Sequence, residues 1–288
     1  MIVVRSAGRL GNQLFVLAAI EKIRKPRETL VLVGFEDFQQ SFPGVLNHYR
    51  QYPMPRQHWW RWNAAQRFLT LMSALGIFSR IVQSSPQREL VRQRSVFPIA
   101  LFEGGWCQDS QLIDASFVDE LRTSIAQSPL ASGERVPERG PDVPFVHDYF
   151  VHVRRGDYLS WPTPEAPAAL PATWYHTQMA AIQDSDSQAR FLLFSDDSEY
   201  AQEIADGLQD ALVVDADTTA ALHIMSECHG GILSASSFSW WGAHLASKKS
   251  PGPFLAPEFW ITWGESRWDD SHSLADSPFL TWVPVSQE

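Results

Sequence analysis

The chain has 288 residues, 44% of them hydrophobic, enough to bury the core of one large or two ordinary domains. A net charge of -10 argues against bulk nucleic-acid binding and against attraction to a broad anionic membrane, though a local arginine cluster can hold a nucleotide inside an acidic protein. Cys107 and Cys228 are too few for a disulfide framework and fit no zinc spacing, and no run of about eighteen apolar residues is present. Free thiols and a cytoplasmic protein, at most peripheral to a membrane, are therefore expected.

Ile2 to Val4 predicts a short strand. It leads into Gly8-Arg9-Leu10-Gly11-Asn12-Gln13, after which Leu14, Phe15, Ala18, Ala19 and Lys22 recur at helical spacing until Pro26. Thr29 to Val33 predicts a second strand, so the chain opens as an α/β unit. From 34 to 100 the pattern is weaker. Asp37 to Tyr52 reads as loop, and Trp59, Trp60 and Trp62 cluster near Arg56, His58 and Arg61. A helix is expected around Phe68 to Leu75, and Val91 to Phe102 holds at most a short strand. Gly104 to Gln108 reads as a turn before a helix carrying Leu112, Ser116 and Leu121. The proline- and glycine-rich stretch 127–144 is the expected linker, dividing the chain into domains at 1–140 and 141–288.

The second half alternates more regularly. Strands are expected at Tyr149–Val153, Phe191–Phe194, Ala211–Val214, Gly231–Leu233 and Phe254–Ala256. Between them helices are expected at Trp174–Ile182, from Asp196 through Leu208, at Thr219–Glu227 and at Trp240–Ala246. Asp196 and Glu199 have capping-box spacing. The tail after Ala256 gives no clear sheet element. Such alternation implies a parallel sheet with helices on both faces, and ligands bind such sheets beyond the C-terminal ends of the strands.

Three stretches fall at those ends. His152-Val153-Arg154-Arg155-Gly156-Asp157-Tyr158 sets two guanidiniums, an imidazole and a carboxylate together. Adjacent arginines suit a diphosphate, through charge-assisted and bidentate hydrogen bonds, or a structural salt bridge to Asp157. Strand alternation would send Arg154 and Arg155 to opposite faces, one to the ligand and one to brace the loop. His152 either donates to the ligand or is a hydrogen-bonded core histidine. Asp157 is either a general base or an arginine brace, and Glu165 in the following proline-rich loop is the second candidate base. Asp196 and Asp197 read as ribose or base contacts, or as helix caps. Ser234 to Ser239 supplies hydroxyls and backbone N–H groups at a helix start, a seat for phosphate that includes Ser236, Ser237 and Phe238. In the first half, Gly11 and Asn12 sit in a strand-to-helix turn that is neither a dinucleotide fingerprint nor a P-loop. No further carboxylate converges with the aspartate pair, so no metal is expected.

Taken in order, Gly8-Arg9-Leu10-Gly11-Asn12-Gln13-Leu14-Phe15, Phe102-Glu103-Gly104-Gly105-Trp106-Cys107-Gln108, His152 to Tyr158, Phe194-Ser195-Asp196-Asp197 and Ser236 to Ala243 resemble the α-1,2-fucosyltransferases of glycosyltransferase family 11. The resemblance implies a GT-B-like fold, two Rossmann-like domains facing a cleft. The first domain would be on the acceptor side and the second would bind the nucleotide sugar. It implies inverting, metal-independent transfer of L-fucose from GDP-β-L-fucose to the 2-hydroxyl of a β-galactoside glycan, with no cofactor. Arg154 then matches the diphosphate arginine, Ser237 and Phe238 the loop beside it, Ser195 to Asp197 the nucleotide motif, and Gly11 and Asn12 the cleft loop. The chain departs from the family pattern at Arg9, at Tyr200 and at Ala221, where an aspartate is usual and Asp217 lies four residues upstream. The competing readings are a transferase of the same fold using another nucleotide sugar and a non-catalytic sugar-binding protein.

Overall fold

The computed structural model describes residues 1–6, 8–43, 45, 49–52, 59–84, 89–103, 105, 107–127, 147–208, 210–258 and 277–285. The chain divides into two compact units, Met1–Ser124 and Ile125–Glu288. The linker expected from 127 to 144 lies outside the described residues beyond Gln127. So do Arg56, His58, Gly104, Trp106 and the tryptophans at 260, 263 and 268.

The first unit runs β1 (Ile2–Arg5), α1 (Leu10–Ile23), β2 (Leu30–Val33), α2 (Glu36–Ser41), β3 (Arg50–Tyr52), α3 (Trp59–Ala74), β4 (Ser79–Gln83), β5 (Leu90–Arg92), β6 (Ala100–Phe102) and α4 (Ala115–Gln127). Its sheet has the order β3-β2-β1-β6-β4-β5, and only β4–β5 is antiparallel. β1 is central, Ile2 and Val4 are fully buried, and α1 is buried continuously from Gln13 to Ile20. Four elements here escaped the sequence pattern. α2 and β3 replace the expected loop from 37 to 52, β4 precedes Val91, and the stretch from Val91 to Phe102, expected to hold at most one short strand, carries the end of β5 and all of β6. They are short, so neither period runs long enough to register.

The second unit runs β7 (His147–Val153), a hairpin of β8 (Pro162–Thr163) and β9 (Ala166–Pro167), then α5 (Ala172–Ser185), β10 (Ala189–Ser195), α6 (Ser198–Ala205), β11 (Ala211–Val213), α7 (Thr218–Glu227), β12 (Gly230–Ile232), α8 (Ser237–Ala246), β13 (Phe254–Pro257) and β14 (Thr281–Val283). The sheet order is β11-β10-β7-β12-β13-β14, with every pairing parallel. Counted from β7, this is the order 3-2-1-4-5-6 of a doubly wound dinucleotide-type sheet. Both halves are thus α/β units on largely parallel sheets. β7 is buried from Tyr149 to Val153, as a strand covered on both faces must be.

β14 corrects the expectation that the tail adds nothing to the sheet. Its three residues, Thr-Trp-Val, are too few to show a period. The segment leading into the strand is held by tertiary contacts: Trp240 on α8 is fully buried, donates from Nε1 to Ser277 Oγ at 2.9 Å, and packs edge-on against Phe279. Burying a large apolar side chain of this kind contributes about 1.5–3 kcal/mol. Cys107 and Cys228 are both buried and are not joined in a disulfide. Burial pushes the Cys107 thiol up to about 12, and the Cys228 thiol is raised by the same cause, so neither is a ready nucleophile.

Candidate functional site

In the second unit the strand order reverses between β7 and β12. Crossovers from β7 lead to β10 on one side, whereas β12 lies on the other. The loops leaving these two strands therefore diverge and leave a crevice beyond their ends. His152, near the end of β7, and Ser234, just past β12, meet across it: His152 Nδ1 and Ser234 Oγ share a hydrogen bond of 2.6 Å. Both residues are buried. Burial, helped by the charge of Arg154, pushes the His152 imidazole down to about 3, so it is neutral at physiological pH. His152 is thus held in the interior by a hydrogen bond through Nδ1. Its ring also lies 5.7 Å from that of Phe238, a half-buried residue in the first turn of α8.

β7 ends at Val153, so the alternation expected for the arginine pair no longer applies. Both side chains turn toward the end of β10. Arg154 Nη1 pairs with Asp196 Oδ2 at 2.6 Å and its Nη2 pairs with Asp157. The backbone N–H of Arg155 donates to Asp196 Oδ1 at 2.9 Å. The guanidinium of Arg155 reaches Asp197 at 3.4 Å and stacks on Tyr200, 3.7 Å from the ring centroid. Three carboxylates thus surround two guanidiniums. The Arg154 side chain is 13% exposed, whereas Asp157 is 54% exposed and Asp196 27%. Asp157 is therefore the partner that can leave at least cost, since solvent already screens its pair with Arg154.

Gly156 has a spatial reason. A Cβ there would meet Asp196 Oδ2 at 2.5 Å, so the close approach of that carboxylate requires glycine. Tyr158 completes the turn. Its hydroxyl donates to Ala235 O at 2.9 Å, tying the loop after β7 to the loop after β12, and its ring lies 5.4 Å from the Arg154 guanidinium.

The capping expectation at β10 needs correction. α6 is capped by Asp197, whose Oδ1 accepts from Tyr200 N at 3.1 Å, and not by Asp196. Asp196 is committed to the arginine loop instead. The hydroxyl-rich loop is shorter than expected, because α8 begins at Ser237 and not at Trp240. Ser236 is its N-cap, accepting from Phe238 N at 3.3 Å, and Ser239 is buried and donates back to Ser234 O and Ser236 O. Ser237 and Phe238 are half-buried in the first turn of α8, at the positive end of the helix dipole. Asp217 caps α7, accepting from Thr219 N and Ala220 N through Oδ1, and Ala221 is buried in the helix. Glu165 is exposed at the tip of the β8–β9 hairpin.

The first unit repeats the arrangement at its own reversal, between β1 and β6. Asn12 Oδ1 accepts from Gln108 Nε2 at 2.7 Å, joining the first turn of α1, which follows β1, to the loop that leaves β6. Gly8, at φ +76°, lets Asn12 fold back over it, because a Cβ there would clash with the Asn12 side-chain amide. Asn12 is not the helix cap. Arg9 occupies the cap position without a side-chain bond. Gly11 is buried in the first turn of α1. Gln13 is likewise inward-facing and accepts from Phe38 N at 3.0 Å.

The sequence did not single out Ser234, Tyr158, Tyr200 and Gln108 as partners of these residues. Gln108 and Tyr158 stood at the ends of stretches already singled out. Tyr200 carried no such signal, since its contact with Arg155 depends on the pairing of β7 with β10.

Over 100 residues the chain is 30% identical to the O-antigen biosynthesis glycosyltransferase WbnK of Escherichia coli, a match that spans 33% of each chain. It is 25% identical over 278 residues to an alpha-1,2-colitosyltransferase of Escherichia coli, covering 91% of this chain and 92% of that one. The fucosyltransferase NodZ from Bradyrhizobium is similar in structure at 14% identity and a TM-score of 0.46, over 87% of this chain and 92% of that one. The profile described as Glycosyl transferase family 11 matches residues 111–257, just over half of the chain. That span contains the arginine loop, both aspartates and the start of α8, and on this match the chain belongs to glycosyl transferase family 11.

Proposed function

We propose that this glycosyltransferase transfers L-fucose, with inversion, from GDP-β-L-fucose to the 2-hydroxyl of a β-galactoside in a glycan. The observation that carries the reading is the twice-paired guanidinium of Arg154 just past the central strand, at the reversal point of a 3-2-1-4-5-6 sheet. Arg154 exchanges the exposed carboxylate of Asp157 for the donor diphosphate. The bond from the sugar C1 to the β-phosphate oxygen breaks, and the acceptor oxygen bonds to C1 from the opposite face. The negative charge that grows on departing GDP is stabilised by Arg154 and the N-terminus of α8, so no divalent cation is required. The acceptor proton passes to Asp157, which the exchange releases beside the reacting centre. Glu165 is the alternative base.

A specific observation favours one second donor. The relative matched along nearly the whole chain is named for α-1,2 transfer of colitose. Colitose is L-fucose without its 3-hydroxyl, so a single pocket difference separates the two sugars. A donor panel read by released nucleotide decides between them. Turnover with GDP-fucose supports the first reading and turnover with GDP-colitose alone supports the second. Binding without turnover of any donor would indicate a sugar-binding protein. Arg154→Ala should remove transfer while the circular dichroism spectrum is kept, and near-wild-type transfer would refute the diphosphate assignment. Asp157→Asn should lower kcat by about 100-fold, with Glu165→Gln near wild type, if Asp157 is the base.

A further inference from the structure

The net charge of the chain conceals an asymmetry. Residues 50–97 hold eight arginines, one glutamate and no lysine or aspartate, while the remainder holds fifteen basic and thirty-two acidic residues. Five of the ten exposed large hydrophobic side chains among the described residues, Phe68, Leu71, Leu75, Val96 and Phe97, lie on the C-terminal half of α3 and on the stretch of chain hydrogen-bonded just past its end. We propose that this surface of the first unit seats the protein on an anionic lipid bilayer.

The geometry begins on α3. Phe68, Leu71 and Leu75 recur at a spacing of three and four residues, which places them on one side of the helix at its C-terminal end. Each is more than half exposed, while Leu69, Met72 and Ser73 turn toward the protein. The chain leaves the helix through Gly76, and residues 96 and 97 run alongside: Val96 N donates to Gly76 O and Phe97 N donates to Ile77 O at 3.1 Å. Val96 and Phe97 are also more than half exposed, so they extend the apolar stripe beyond Leu75. Apolar groups clustered in this way in an otherwise well-buried chain mark a surface that something covers.

The charge pattern points to the occupant. Arg80 and Arg92 are paired with Glu103 and Glu28, and exposed Arg50 lies on β3, so beside the apolar stripe attraction to phosphates falls to the exposed Arg67 and Arg94. Arg67 adjoins Phe68 on the helix, and Arg94 lies two residues before Val96. Basic groups flanking an apolar stripe match a bilayer that is anionic at its surface and hydrocarbon beneath. By sequence α3 also opens on Trp59, Trp60 and Trp62, a residue type that favours the membrane interface. Among the described residues no helix is long and apolar enough to cross a membrane, so the contact is with one leaflet. The acidic remainder explains why the whole-chain charge gave the opposite expectation. The proposal does not depend on the donor sugar.

Co-sedimentation of the full chain with lipid vesicles tests it. Vesicles of phosphatidylcholine with phosphatidylglycerol should bind the protein, pure phosphatidylcholine should bind it weakly, and added salt should release it. Phe68→Ser combined with Leu71→Ser, and separately Arg67→Glu combined with Arg94→Glu, should each reduce binding about tenfold. All four positions are on the surface, and circular dichroism should show the fold retained. No binding of the wild-type chain to anionic vesicles, or unchanged binding by both variants, would overturn the proposal. So would a dimer in analytical ultracentrifugation that the apolar variant dissolves while vesicle binding is unaffected, because the face would then join two copies.

Discussion

His152 shows how a single residue changes meaning between sequence and structure. An imidazole beside two arginines suggests a charged ligand contact, yet its burial against Ser234 makes it a neutral cross-link between β7 and β12. The proton linkage has a definite sign. The folded value of about 3 lies below the ordinary value of 6.5, so the unfolded chain binds the extra proton between those limits. The stabilisation from neutral His152 is complete above pH 6.5 and is lost as pH falls through that window, by at most about 1.4 kcal/mol per pH unit. Urea melts at pH 7 and pH 5 should therefore show the wild type losing more stability than His152→Gln. An equal loss would mean that His152 titrates normally. Arg154 was legible as a site candidate by its type and place. Its pairing with Asp196 was not, since Asp196 lies just past the end of another strand and meets Arg154 only through the parallel register of β10 with β7.

Among the elements, β12 is the most constrained. It is three residues long, and both Gly230 and Gly231 are buried. A Cβ on Gly230 would collide with Pro253 O and with the Tyr149 ring, and one on Gly231 would collide with the Phe150 ring. The strand can lie between β7 and β13 only if these side chains are absent. Gly230→Ala should therefore cost about 3 kcal/mol, because a backbone carbonyl must move along with an aromatic ring. Chemical denaturation measures this, and a cost below about 1 kcal/mol would show that the sheet relaxes freely. The sequence marked β12 as a strand from its apolar residues, although glycine disfavours strands. Helix starts were less legible. Aspartates at 196 and 197 are both plausible caps, and only the path of the chain into α6 selects Asp197.

For the whole molecule, GDP should bind the folded chain and raise its melting temperature. Mass action gives about 2.7 kcal/mol of stabilisation at a hundredfold excess over Kd. The gain should persist in EDTA, with transfer rates unchanged, if arginine and helix-end charges replace a divalent ion. Loss of either effect on chelation would assign a metal to the site. The sequence by itself determined the α/β class, the strand-end stretches and the arginine pair, because period, glycine placement and charge type are local properties of the chain. Tertiary structure decided the rest. The strand order that reverses beside β7, the joining of β14 to the sheet and the pairing of Arg154 with Asp196 all bring together residues distant in sequence. Their geometry follows from packing, and no local pattern encodes it. The same holds for the basic, apolar face of α3, which whole-chain charge conceals and solvent exposure reveals.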